Sequence, residues 1–98
     1  MEKSTQIKYS KSAAKTLNAY DRPTKQSLKR KIEGLVKDPP EGDIKKLKGS
    51  ETEYRLRDGK YRVIFEFCED ILTDDNKTII VKIVQINKID SRGNVYNK

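Results

Sequence analysis

Tyr54-Arg55-Leu56-Arg57-Asp58-Gly59-Lys60-Tyr61-Arg62-Val63-Ile64-Phe65-Glu66-Phe67 is the stretch from which the fold is read. Asp58-Gly59 between two alternating runs marks a hairpin, because a two-residue turn with positive φ suits this dipeptide. Such a turn opposes Arg57 to Lys60, Leu56 to Tyr61, Arg55 to Arg62 and Tyr54 to Val63. Successive side chains on a strand point to opposite faces. Tyr54, Leu56, Tyr61, Val63, Phe65 and Phe67 then make one apolar face, while Arg55, Arg57, Lys60 and Arg62 crowd the other. Like charges directly opposite each other destabilise a sheet by up to roughly 1 kcal/mol per pair, so two cationic pairs ask for a polyanion. The planar donor fork of Arg fits phosphate oxygens, which makes RNA or DNA the first candidate ligand. The alternative is a solvated, edge-protecting set of charges, and charge alone leaves the two readings level.

Working outward, the 98 residues suffice for one domain with a modest core, and residues 1–98 are read as a single unit. Lys plus Arg number 22 against 15 Asp plus Glu, a formal charge of +7 that favours nucleic acid or an acidic protein as partner. No apolar run approaches the roughly 20 residues that span a bilayer, and residues 1–6 are polar, so no membrane partner and a cytoplasmic location are expected. Histidine is absent and Cys68 is the single cysteine, which argues against zinc and against an intrachain disulfide. No glycine-rich phosphate loop occurs. Neither a metal nor a cofactor is therefore expected, and acid–base chemistry falls to Lys, Tyr, Asp or Glu.

Before the hairpin, residues 5–9 alternate weakly and predict a short strand. Ser10 is placed to cap a helix carrying Ala13, Ala14, Leu17 and Tyr20, and Asp21-Arg22-Pro23 ends it and starts a second. That helix has Leu28, Ile32, Leu35 and Val36 on one stripe and Lys25, Lys29, Arg30, Lys31 and Lys37 outside, a second basic patch more often simply solvated. It stops before Asp38-Pro39-Pro40. Residues 44–49 set Ile44 and Leu47 among three lysines ahead of the hairpin, and Leu47 is expected to reach the core. After about Cys68, residues 69–76 hold four acidic residues and no basic one, which reads as an exposed loop. Residues 78–89 are apolar on both alternations, as a central strand requires. The sum is an α+β fold: an N-terminal strand, a two-helix hairpin, then a three-stranded antiparallel meander, with the helices packed on one sheet face and the basic face open.

Lys46-Leu47-Lys48-Gly49, the hairpin from Tyr54 to Phe65 and the closing Arg92-Gly93-Asn94-Val95-Tyr96 together resemble the RelE/ParE superfamily of bacterial and archaeal toxins, over essentially the whole chain. In RelE-like members the toxin enters the ribosomal A site and cuts messenger RNA with basic residues of the open sheet face and a Tyr near the C-terminus; ParE-like members instead inhibit DNA gyrase. The resemblance to the RelE branch implies a metal-independent endoribonuclease acting on ribosome-bound messenger RNA. In it Arg55 and Arg62 stabilise the phosphoryl oxygens, Lys48 or Lys46 helps activate the 2′-hydroxyl, and Tyr96 stacks on a base or relays a proton. Arg57, Lys60 and Arg92 would join Lys46 in holding RNA. Glu53 and Asp90 depart from that pattern, standing where basic residues align, and the ParE-like activity is the alternative. A cognate antitoxin protein is implied as partner in either branch, with the ribosome and messenger RNA as further partners in the first.

Overall fold

The computed structural model describes residues 2–37 and 39–91, with side chains from residue 5 onward. The elements run β1 (Glu2–Tyr9), α1 (Lys11–Ala19), α2 (Arg22–Glu33), a 3-10 turn (Gly34–Val36), β2 (Asp43–Lys46), β3 (Glu53–Asp58), β4 (Tyr61–Asp74) and β5 (Lys77–Ser91). The strands form one sheet in the order β1-β5-β4-β3-β2, antiparallel except for β1, which runs parallel to β5. The α+β expectation is met, with one strand more than the sequence predicts. The addition is β2, in a stretch where lysines obscure the alternation. Ile44 lies opposite Leu56 on the core side, and Asp43 and Lys45 lie opposite Arg57 and Arg55 on the other.

The helices form where their caps dictate. Ser10 Oγ accepts from the Ala13 backbone N–H at 3.0 Å, and the Asp21 carboxylate accepts from the Thr24 N–H at 3.3 Å with Pro23 in the first turn. Each helix then lays one stripe on the sheet. Ala13, Leu17, Leu28, Ile32 and Leu35 pack on Leu56, Val63, Phe65, Val84, Ile86 and Ile89 as one buried cluster. Fully burying an aliphatic or aromatic side chain of this size contributes roughly 1.5–3 kcal/mol. Tyr54, Phe65 and Phe67 extend the cluster with ring centroids 5.4–5.8 Å apart. Tyr9 and Tyr20 border it, and burial raises the pKa of both phenols above 10.0; the Glu33 charge adds to this at Tyr9, and Tyr61 and Asp90 add to it at Tyr20. Leu47 is half buried and stands outside the cluster, because β2 ends one residue before it.

Two sequence expectations are corrected here. The β3–β4 turn is Gly59-Lys60, not Asp58-Gly59, so Asp58 pairs with Tyr61, Arg57 with Arg62, Leu56 with Val63, Arg55 with Ile64 and Tyr54 with Phe65. Gly59 has φ 61° and Lys60 keeps a negative φ, as in a turn with glycine at its first central position. Each β3 residue meets a partner two places further along β4 than predicted, and a shift of two leaves every side chain on its predicted face. Residues 69–76 are also not a loop. β4 continues to Asp74, turns through Asp75 (φ 47°) and Asn76 (φ 67°), and returns as β5. The acidic content suggests a loop, yet Ile71, Leu72 and Thr73 find β-forming partners in Ile80, Ile79 and Thr78.

Candidate nucleic-acid interface

The face of the sheet away from the helices is built of cross-strand rows. One row reads Asp43 (β2), Arg57 (β3), Arg62 (β4), Asp90 (β5). The next reads Lys45, Arg55, Ile64, Lys88, and beyond it Glu53 stands opposite Glu66, which in turn is opposite Gln85. The cations are thus framed by carboxylates, which corrects the expectation of an uncompensated basic face. Between β3 and β4 the directly opposed like charges are Arg57 with Arg62 and Glu53 with Glu66, because the turn register moves Lys60 out of the strand and sets Ile64 against Arg55, while on β2 Lys45 stands opposite Arg55.

Asp43 organises the first two rows. Its Oδ2 accepts from Arg57 Nε at 3.2 Å, and its Oδ1 lies 3.6 Å from Arg55 Nη2. The Arg55 side chain is only 17% exposed, and its Nε is buried with no hydrogen-bond partner among the described residues. A guanidinium N–H left without an acceptor is uncommon in a folded protein, and this one, being buried, meets an incoming acceptor only if the side chains around it move. Arg62 is half buried between Arg57 and Asp90, and the Asp90 carboxylate accepts from the Ser91 backbone N–H at 3.0 Å.

A β-bulge places the other polar group. The register of β4 and β5 shifts between Ile64 and Phe65, leaving Asn87 as an extra residue between Ile86 and Lys88. Its Nδ2 donates to Glu53 Oε2 and to Glu66 Oε2, 2.8 Å each, and so holds two half-buried carboxylates together across the strands. The bulge is itself pinned from the helix layer: the Ser10 hydroxyl that caps α1 donates to the Asn87 carbonyl at 2.8 Å, and the Ser10 N–H donates to the Ile86 carbonyl at 2.9 Å. A capping serine that the sequence marks as local therefore also fixes geometry on the opposite side of the sheet.

The sequence-predicted residues do not all converge. Arg55, Arg57 and Arg62 share the open face. Lys46 pairs with Tyr54 and so belongs to the helix side of the sheet, at its β2 edge. Lys48 sits in the turn after β2, and Lys60 in the β3–β4 turn with its Nζ 5.4 Å from the Tyr61 ring centroid. Arg92 and Tyr96 lie outside the described residues. Sequence reasoning missed Asp43, Lys45, Lys88 and Asn87; the first two required recognition of β2, and the last two required the bulge, which has no sequence signature here.

The chain thus sets a helix pair on one face of a five-stranded sheet and arginines from the β3–β4 hairpin on the other. The family model of the ParE toxin of type II toxin-antitoxin systems, parDE, matches residues 7–87, and the chain belongs to this family within the RelE/ParE superfamily. Among solved structures, the chain is similar to the RelB–RelE antitoxin–toxin complex from Methanococcus jannaschii, at 22% identity and TM-score 0.59 over 92% of this chain and 95% of that one. It is also similar to the toxin–antitoxin complex RelBE2 from Mycobacterium tuberculosis, at 20% identity and TM-score 0.58 over 89% and 96%. No curated protein matches the chain in sequence. The chain is the toxin of a type II toxin-antitoxin system.

Proposed function

We propose that this toxin is a ribosome-dependent endoribonuclease that cuts messenger RNA in the A site, working as a single cytoplasmic domain without metal or cofactor and held in check by a cognate antitoxin. The observation that carries the reading is the adjacency, on one open face, of Arg55 with its unpartnered Nε to the Glu53–Glu66 carboxylate pair one row away. Cleavage by an internal nucleophile needs two things at one phosphate: a group to take the 2′-hydroxyl proton, and donors aimed at the charge that develops on phosphorus oxygens. The 2′-oxygen attacks phosphorus, its proton passes to a carboxylate, and the bond to the 5′-oxygen breaks as that oxygen is protonated, leaving a 2′,3′-cyclic phosphate and a 5′-hydroxyl. Glu53 or Glu66 takes the proton, a role the sequence assigns to Lys48 or Lys46. Arg55 and Arg62 receive the phosphoryl oxygens, Lys45, Lys88 and Arg57 hold the flanking backbone, and Tyr96 stacks on a base or protonates the leaving oxygen. The likeness to structures solved with antitoxins supports the inhibitory partner.

A second reading, non-enzymatic inhibition of DNA gyrase, is favoured by the ParE family match and by the row Asp43-Arg57-Arg62-Asp90, in which the arginines already have carboxylate neighbours. Primer extension on translated messenger RNA, run beside a gyrase supercoiling assay, separates the two. Codon-associated cuts that fall at least a hundredfold in Arg62→Ala and in Glu53→Gln/Glu66→Gln are expected. Inhibition of supercoiling by folded wild type without any cuts would establish the second reading.

A further inference from the structure

β3 stops pairing with β4 at Glu66, while β4 runs on to Asp74. On the other side β5 is covered by β1 as far as Ile79. Residues 67–74 therefore present one open strand edge, roughly 27 Å long at 3.4 Å per residue, with no partner strand among the described residues. Natural sheets blunt such edges with lysine, proline or short strands. This edge has none of these; its only charges are the acidic Glu69, Asp70 and Asp74, and it keeps large apolar groups in water: Phe67 is 47%, Ile71 66% and Leu72 51% exposed.

The order of residues along the edge is specific. Phe67-Cys68-Glu69-Asp70-Ile71-Leu72 reads as two apolar, two acidic and two apolar positions, so each face of the strand carries an acid beside apolar groups. Glu69 has Lys82 opposite it on β5, yet no ion pair forms within 4 Å at Glu69 or Asp70 among the described residues. Where the edge begins, Phe67 forms one wall of a groove of about 690 Å³ with Leu35, Val36, Pro40 and Val84, which Lys37, Glu69 and Lys82 also line. An added strand at this edge gains main-chain hydrogen bonds along its length and has a groove with apolar walls and charged side chains beside its Phe67 end.

We propose that the β4 edge is a docking site for an extended segment of a partner protein whose sequence runs apolar-apolar-basic-basic-apolar-apolar, pairing main chain to main chain with residues 67–74 and setting its two cations against Glu69 and Asp70. Charge decides the occupant. Carboxylates repel nucleic acid, and pairing with a second copy of this chain would gather two sets of Glu69, Asp70 and Asp74 along one seam, where like charges destabilise a sheet. A basic strand removes that repulsion and covers Phe67, Ile71 and Leu72. The proposal does not depend on the toxin's target, since the edge lies outside the arginine rows.

The test uses the capped peptide TVVKKVVT, its acidic counterpart TVVEEVVT, and amide hydrogen exchange of the full chain by NMR. TVVKKVVT is expected to slow exchange across residues 67–73, with at least tenfold weaker binding of TVVEEVVT. The variant Glu69→Lys/Asp70→Lys, whose fold is checked by circular dichroism, is expected to reverse the preference. Absence of protection, equal protection by both peptides, or an unreversed preference in the variant would overturn the proposal. So would protection that grows with protein concentration in the absence of peptide, which would assign the edge to a second copy.

Discussion

Asp43 shows how one residue sets the character of a charged face. It is the only acidic side chain within 4 Å of Arg55 and Arg57 among the described residues, and although Arg55 is only 17% exposed, Asp43 itself and Arg57 are nearly half in water, so the ion pairs contribute little to stability. Their effect is on availability: while Asp43 holds the two guanidiniums, a phosphate must compete with a carboxylate already in place. Asp43→Asn keeps the shape and removes the competitor. Stability is expected to change by no more than about 1 kcal/mol, while affinity for single-stranded RNA rises. The plot of log affinity against log salt steepens by about 0.7 for each arginine that gains a phosphate contact. Fluorescence anisotropy across a salt series measures this, and an unchanged slope would mean that these arginines do not meet the ligand.

At the scale of elements, β2 is the piece that the sequence hides and the site depends on. Gly42, just before it, has φ 124°, and a Cβ at this position would stand 2.5 Å from Leu56 Cδ1. Leu56 is 1% exposed and cannot retreat without disturbing Val63 opposite it. Gly42→Ala combines a backbone conformation that side chains rarely adopt with overpacking of the core, each costing about 1–3 kcal/mol. At about 4–8 °C per kcal/mol for a chain of this size, a fall in melting temperature of about 8–48 °C is expected by calorimetry. The helices, the two faces of the hairpin and the core strands were legible because caps and alternation are local signals. The face assignment of Arg55, Arg57 and Arg62 survived even a misplaced turn, since a two-residue shift preserves strand parity. The extra strand, the bulge at Asn87 and the reach of β4 were not legible. β2 is too short and lysine-rich for alternation to show, the bulge at Asn87 is held by Ser10 from 77 residues away in the sequence, and the acidic residues of β4 resemble a loop until their partners on β5 are known.

For the molecule as a whole, the long β4–β5 hairpin draws the described chain out to 57 × 31 × 23 Å and separates charge along it. Residues 63–76 hold five acidic residues and no basic one, whereas residues 44–62 hold seven basic and three acidic. The outer part of the hairpin adds little to the body: every residue from 71 to 78 is exposed, and none from 71 to 80 belongs to the buried cluster. Asp70 pairs with Val81, so replacing residues 71–80 by Asn-Gly closes the strands with a two-residue turn and keeps their register. The excised piece carries Asp74, Asp75 and Lys77, one net negative charge, so the formal charge rises from +7 to +8. Only the pairing of β1 at Glu2 and Lys3 is lost from the remaining sheet. The shortened toxin is expected to melt within about 8 °C of the full chain, equivalent to about 1 kcal/mol. It should keep whichever activity primer extension or the supercoiling assay assigns to the toxin, because the arginine rows and the Glu53–Glu66 pair are untouched. Binding of TVVKKVVT should be lost, since half of the open edge is gone. A shortened chain that melts as the parent does but no longer acts on its target would place the outer hairpin in target recognition, and the open edge would then serve the attack itself.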